Sequence, residues 1–178
     1  IIGKYVDQQL LEVVAMGSYP SSGLKKGVVV NIDATTDAIQ KSIDQAQASF
    51  EGKIKNVYVG IAGNHIRSLN SQGAVGIKDK EVDAGDIDRV IEAAQAVAIP
   101  SDQRVLHVLP QEYVIDNQDS IREPLGMSGV RLESHVHLVT CANNAIQNIE
   151  KCVKRCGVGV DGFVLEQLAS SYSVLSED

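Results

Sequence analysis

GMSGVRLESHVHLVT, residues Gly126–Thr140, alternates from Val130 onward. Val130, Leu132, Ser134, Val136, Leu138 and Thr140 fall on one side, and Arg131, Glu133, His135, His137 and Val139 on the other. A period of two is that of a strand buried on one face. The run is long for a strand, so it is expected to carry the chain from one packed unit into another. Before it, Arg104–Asp116 (RVLHVLPQEYVID) reads as a second strand. Pro110 lacks a donor, so that strand should be an edge, carry a bulge, or break in two. Between them, Asn117–Gly129 reads as a loop with Pro124, Gly126 and Gly129.

Further upstream, Asp83 stands before a helical stripe of Ile87, Val90, Ile91, Ala94, Val97 and Ala98, with Pro100 as its stop. Asp83, Asp86, Asp88 and Glu92 crowd its first turns. They complement the helix dipole or form an acidic docking face. His65–Ile77 is polar-interleaved and glycine-punctuated, as one or two edge strands would be. His65–Ser134 thus reads β-α-β-β, a small sheet crossed by one helix.

The flanking segments have a different character. Ile1–Val6 and Leu10–Met16 read as a hairpin around Asp7, Gln8 and Gln9. Gly17–Gly27 is a loop whose two lysines are a solvated turn or a phosphate contact. Asp33 is the expected cap of a helix carrying Ile39, Ile43, Ala46 and Phe50, ended by Gly52. Val57–Ala62 (VYVGIA) is almost continuously apolar, as in a parallel or mixed sheet covered on both faces. After Thr140 come a helix over Asn143–Cys156 closed by Gly157, a strand over Val160–Leu165, and a short helix over Gln167–Leu175.

Composition narrows the class. The 178 residues are 44% hydrophobic, enough for one domain or two small ones with packed cores. Sixteen basic residues against twenty-three acidic ones leave a charge of −7. With two Phe, five Tyr and no Trp, neither a basic face nor a stacking platform for nucleic acid is present. Three cysteines, Cys141, Cys152 and Cys156, read as reduced thiols. No apolar run has the length of a membrane span. The chain opens IIGKYV and closes LSED, which reads as a piece of a longer chain.

Chemistry-bearing clusters are few. His135 and His137 share a strand face but lack a third and fourth metal ligand, and read as surface or interface residues. Cys152 and Cys156, four apart on a helix, read as small core residues. Ser170, Ser171 and Ser173 have no evident base, and His65 and His107 read as packing or surface residues. No P-loop is present.

Five runs, however, occur in a telling order: GSYPSSGLKKGVVVN, VYVGIAGNHIRSLNSQG, VLHVLPQEYVID, GMSGVRL and VLEQLASSYSVL. Together they resemble the bacterial cell-division FtsA family, of the actin, Hsp70 and sugar-kinase superfamily. The resemblance implies an α/β fold: a partial actin-like (ribonuclease H-like) core over 1–63 and 135–178, and an inserted β-α-β-β unit of the SHS2 type over 64–134. The composition shift at Asn64 marks the first boundary independently.

The resemblance further implies a scaffold rather than an enzyme. It would link FtsZ filaments to the cytoplasmic side of the inner membrane at the division septum, and self-assemble into actin-like filaments. The family's FtsZ site and its membrane-tethering C-terminal helix do not lie in these residues. Its two phosphate loops for ATP and Mg are absent too, so no catalytic, cofactor or metal residue is assigned and the chain is expected to bind nucleotide weakly or not at all. The insert would recruit late division proteins such as FtsN, at Asn64, His65, Ile66, Arg67 and Ser68. The alternatives are an active ATPase or phosphotransferase of the superfamily, or a pilus-assembly actin homologue.

Overall fold

The computed structural model describes residues 1–6 and 11–175. The expected turn at Asp7, Gln8 and Gln9 and the closing residues 176–178 lie outside the described residues. The chain forms two compact units: residues 1–65 with 143–178, and residues 66–142.

The second unit is a four-stranded antiparallel sheet, β6 (Ile66–Gly76), β9 (Arg131–Ala142), β7 (Gln103–Ile115) and β8 (Gln118–Ile121), in that spatial order. Helix α2 (Ala84–Gln95) packs on one face, over β6 and β9. The opening alternation is realised from Arg131 to Leu138 and fails at both ends, since Val130 is exposed and Val139 is buried. Leu132, Ser134, Val136 and Leu138 are buried under α2, with Arg131 exposed and Glu133, His135 and His137 half-buried on the open face. Their buried neighbours are Val90 and Ala94 of α2, both fully excluded from solvent. Gly73 makes this approach possible. A Cβ there would lie 2.4 Å from both the Ala94 nitrogen and the Val90 carbonyl oxygen.

Three sequence expectations need correction in this unit. Asn117–Gly129 is not all loop, since β8 pairs Tyr113 with Ile121 and Ile115 with Gln118; the insert is therefore β-α-β-β-β. Helix α2 ends at Gln95 rather than at Pro100, its last cap bond running from Ala96 N–H to the Ala93 carbonyl. Val97 and Ala98 continue the apolar stripe beyond the helix. The inserted unit does not end at Ser134: residues 135–142 stay in its sheet, because β9 pairs with β6 through Cys141 and with β7 through Ala142. At its other boundary the compact unit begins at Ile66, two residues after Asn64. Pro110 is accommodated as a bulge. The β7–β9 register shifts between Pro110 and Glu112, on a stretch that the short β8 does not reach.

The first unit joins β5 (Asn56–Ile61) to β10 (Gly159–Leu165) in a parallel pair. Two small antiparallel hairpins, β1 (Ile2–Tyr5) with β2 (Leu11–Ala15) and β3 (Leu24–Lys25) with β4 (Val28–Val29), belong to the same unit. The second hairpin lies where a loop and an unassigned segment were expected. Its turn, Lys26-Gly27, has positive φ at both residues, 51° and 80°, the geometry a two-residue hairpin requires. Helices α1 (Ile32–Ala48) and α3 (Asn143–Arg155) pack together, and α4 (Glu166–Val174) closes the described chain.

Helix α1 is capped by Asn31, not Asp33. The Asn31 side chain accepts from Ala34 N–H at 3.0 Å. Asp33 sits in the first turn and accepts from Arg155 Nη1 at 2.9 Å. The helix ends at Ala48, ahead of Gly52. Nor is β5 covered on both faces, since Tyr58 is 73% exposed. Its apolar run reflects parallel pairing, with only one face packed.

Candidate functional site

The candidate residues fall at the start of β6. Asn64 and His65 form the turn that precedes it, while Ile66, Arg67 and Ser68 are its first residues. Asn64 and His65 belong to the first unit and the other three to the second. The stretch is thus a turn followed by a strand, not one continuous strand. Gly63, at φ 140°, lets the chain bend closely here; a Cβ would stand 2.9 Å from the His65 ring. Asn64, Arg67 and Ser68 are exposed, and His65 and Ile66 are half-buried. The His65 Nδ1 is buried without a hydrogen-bond partner among the described residues, and burial lowers the pKa of this imidazole. His65 is therefore held neutral and packs as an apolar ring at neutral pH.

β6 is an edge strand along its whole length. Eleven consecutive pairs join it to β9 without a register shift. Among the described residues its other flank has no strand. On that flank the Gly76 carbonyl is held by Arg89, and the rest of the strand has no strand partner among the described residues, the feature by which extended segments add to a sheet.

The open face of the sheet is polar. His135 Nδ1 donates to Glu112 Oε1 of β7 at 2.9 Å, and His137 Nδ1 donates to Asn70 Oδ1 of β6 at 2.7 Å. The two rings are tied to opposite neighbouring strands, which makes them cross-strand clasps rather than a chelating pair. No group of three His, Cys, Asp or Glu side chains is arranged for a metal among the described residues. Asn70, Ser71, Gln72, Gln111 and His135 line a shallow groove on this unit.

The acids of α2 divide by role. Asp83 and Asp86 form a reciprocal capping box, and Asp86 also pairs with Arg89. Arg89 donates in addition to the Gly76 carbonyl at 2.8 Å. The hydrogen bond from Arg89 holds the Asp86 carboxyl below its ordinary pKa. Only Asp88 and Glu92 remain for an acidic surface.

The thiols and the hydroxyls of Ser171 and Ser173 have structural partners. Cys152 Sγ approaches the Ile32 carbonyl at 3.7 Å and Cys156 Sγ the Thr36 carbonyl at 3.5 Å, so both seat α3 on α1. Burial raises the pKa of Cys141 and Cys156, keeping these thiols protonated and unreactive at neutral pH. Ser171 donates to the Leu168 carbonyl and Ser173 to the Ala169 carbonyl, within their own helix.

Residues 63–140 match the family model described as the SHS2 domain inserted in FTSA. Over its whole length the chain is 65% identical to cell division protein FtsA of Pseudomonas aeruginosa. The chain belongs to the FtsA family. It is 51% identical to the FtsA of Neisseria meningitidis serogroup B and 42% identical to that of Escherichia coli K12, again across all 178 residues. The chain spans 43% of the Pseudomonas FtsA. Among solved structures it is similar to the PilM-PilN type IV pilus biogenesis complex, with a TM-score of 0.56 at 12% identity, over 86% of this chain and 40% of that one. That likeness is one of fold, a mixed α/β arrangement of parallel and antiparallel sheets.

No described helix is long and apolar enough to cross a membrane. Sequence reasoning did not single out Asn70, which holds His137, or Gln72, which shares the groove with it. They lie further along β6 than the assigned stretch, and their only sequence signal is their parity with His137 and His135 across the pair.

Proposed function

We propose that this chain is the part of an FtsA-type cell-division scaffold that recruits partners, acting by binding rather than by chemistry. The observation that carries the reading is β6: eleven residues paired without a register shift, with no strand on the other flank among the described residues, and preceded by a turn. A late division protein such as FtsN would engage Asn64, His65, Ile66, Arg67 and Ser68, adding an extended segment to the sheet. In the whole protein this activity would operate at the cytoplasmic side of the inner membrane at the septum. Linkage to FtsZ, actin-like filament formation, and binding of ATP with Mg would rely on the rest of the family's length.

The test is a fluorescence titration of the chain with a basic cytoplasmic peptide of FtsN at low and high salt. The expected result is saturable binding, weakened by salt and by Asn64→Ala or Arg67→Ala. Absence of binding at high micromolar peptide, with the chain shown to be folded by circular dichroism, would overturn the recruitment role.

A further inference from the structure

We infer that β6 pairs antiparallel with β6 of a second copy, about a two-fold axis at Ser71, extending two four-stranded sheets into one of eight. The inference rests on the reading of the inserted unit as an interaction module, but it names a different occupant and a defined register.

Edge strands are usually guarded by lysine, proline or a bulge. Residues 66–76, IRSLNSQGAVG, contain no lysine and no proline, and their pairing with β9 has no bulge. Arg67, near one end, is their only charge. A two-fold axis at Ser71 sets each residue opposite the one an equal distance beyond it. Arg67 then faces Val75, Ser68 faces Ala74, and Asn70 faces Gln72. The two arginines stand about 27 Å apart along the strands, so no like charges oppose.

The centre is self-complementary. Asn70 and Gln72 are both exposed, and by register they share the open face with His137 and His135. Asn70 Oδ1 is already held by His137 Nδ1 at 2.7 Å. This fixes its amide and leaves its NH2 group to donate to the Gln72 oxygen of the other copy. The two-fold generates that contact twice, which makes the interface isologous.

The test combines sedimentation with cross-linking. Copies of a −7 chain repel one another, so screening should strengthen the dimer as salt rises, the reverse of what a basic peptide would show. Directly opposed residues lie within disulfide range. Ser71→Cys should therefore oxidise to a covalent dimer, whereas Arg67→Cys, which faces Val75, should not. Gln72→Lys, at an exposed site, should lower the association constant about fivefold or more. A wild-type chain that sediments as a monomer throughout the micromolar range in high salt would overturn the inference. So would Ser71→Cys, folded by circular dichroism, cross-linking no faster than Arg67→Cys. Either failure leaves the salt-weakened peptide binding of the previous section standing.

Discussion

Asp83 and Asp86 cap the same helix end reciprocally: Asp86 N–H donates to Asp83 Oδ1 at 2.7 Å, and Asp83 N–H reaches Asp86 Oδ2 at 3.4 Å. Two of the donors left open at the start of α2 are satisfied in this way. Replacing Asp83 by Ala removes the shorter bond and should destabilise the chain by about 1 kcal/mol. Urea denaturation followed by circular dichroism measures it, with an unchanged slope as the mark of an intact fold.

The same pair sets an acid dependence. The folded pKa of Asp86 lies below its ordinary value of 3.8 because Arg89 donates to it. A depressed carboxylate contributes stability that is fully present above the unfolded pKa and lost as pH falls through the folded one. The urea midpoint of the wild type should therefore exceed that of Asp86→Asn at neutral pH. The gap should shrink as pH falls below about 4. A gap independent of pH from neutrality down to acid unfolding would contradict the assignment.

Adjacent residues of β9 should respond very differently to truncation. Leu138 is fully buried against Val136 and Ala94, whereas His137 lies on the open face. Leu138→Ala should cost about 2–5 kcal/mol, and His137→Ala less than about 1 kcal/mol, the worth of one cross-strand pair. Comparable losses at the two sites would mean that the period of two does not govern packing here.

Gly73 should tolerate no side chain. A Cβ there meets backbone atoms of α2 at 2.4 Å, and backbone cannot yield as a side chain can. Gly73→Ala should cost about 1–3 kcal/mol through overpacking, despite the gain in strand propensity. Gly76, where an added Cβ would meet no atom within 4 Å, is the control: Gly76→Ala should be near neutral.

Strong periodicity made the long elements legible. The alternation of β9 and the Asp83-led stripe of α2 each agree with their surroundings, so local pattern and tertiary packing point the same way. The misreadings share a different cause. Asn31 rather than Asp33 caps α1, since both are cap formers two residues apart and only the backbone at Asn31, φ −143°, is extended. Val97 and Ala98 lengthen the apolar stripe of α2 without being helical. β3, β4 and β8, of two to four residues, are too short to show a period. The candidate residues were found by resemblance, and chain position alone did not reveal that Asn64 and His65 form a turn. The value of Asn70 and Gln72 depended on register, which emerges only when β6 lies beside β9.

The two borders of the inserted sheet are built unlike each other. One ends in the four-residue β8, and beyond it β7 is interrupted by Pro110 and two register shifts. The other is the uninterrupted β6. A sheet that can add a strand on one side only can do so once. Association through it consumes its single vacancy, so growth by this route stops at a finite complex and cannot propagate into a fibre. Copies and partner segments that seek β6 must therefore exclude one another.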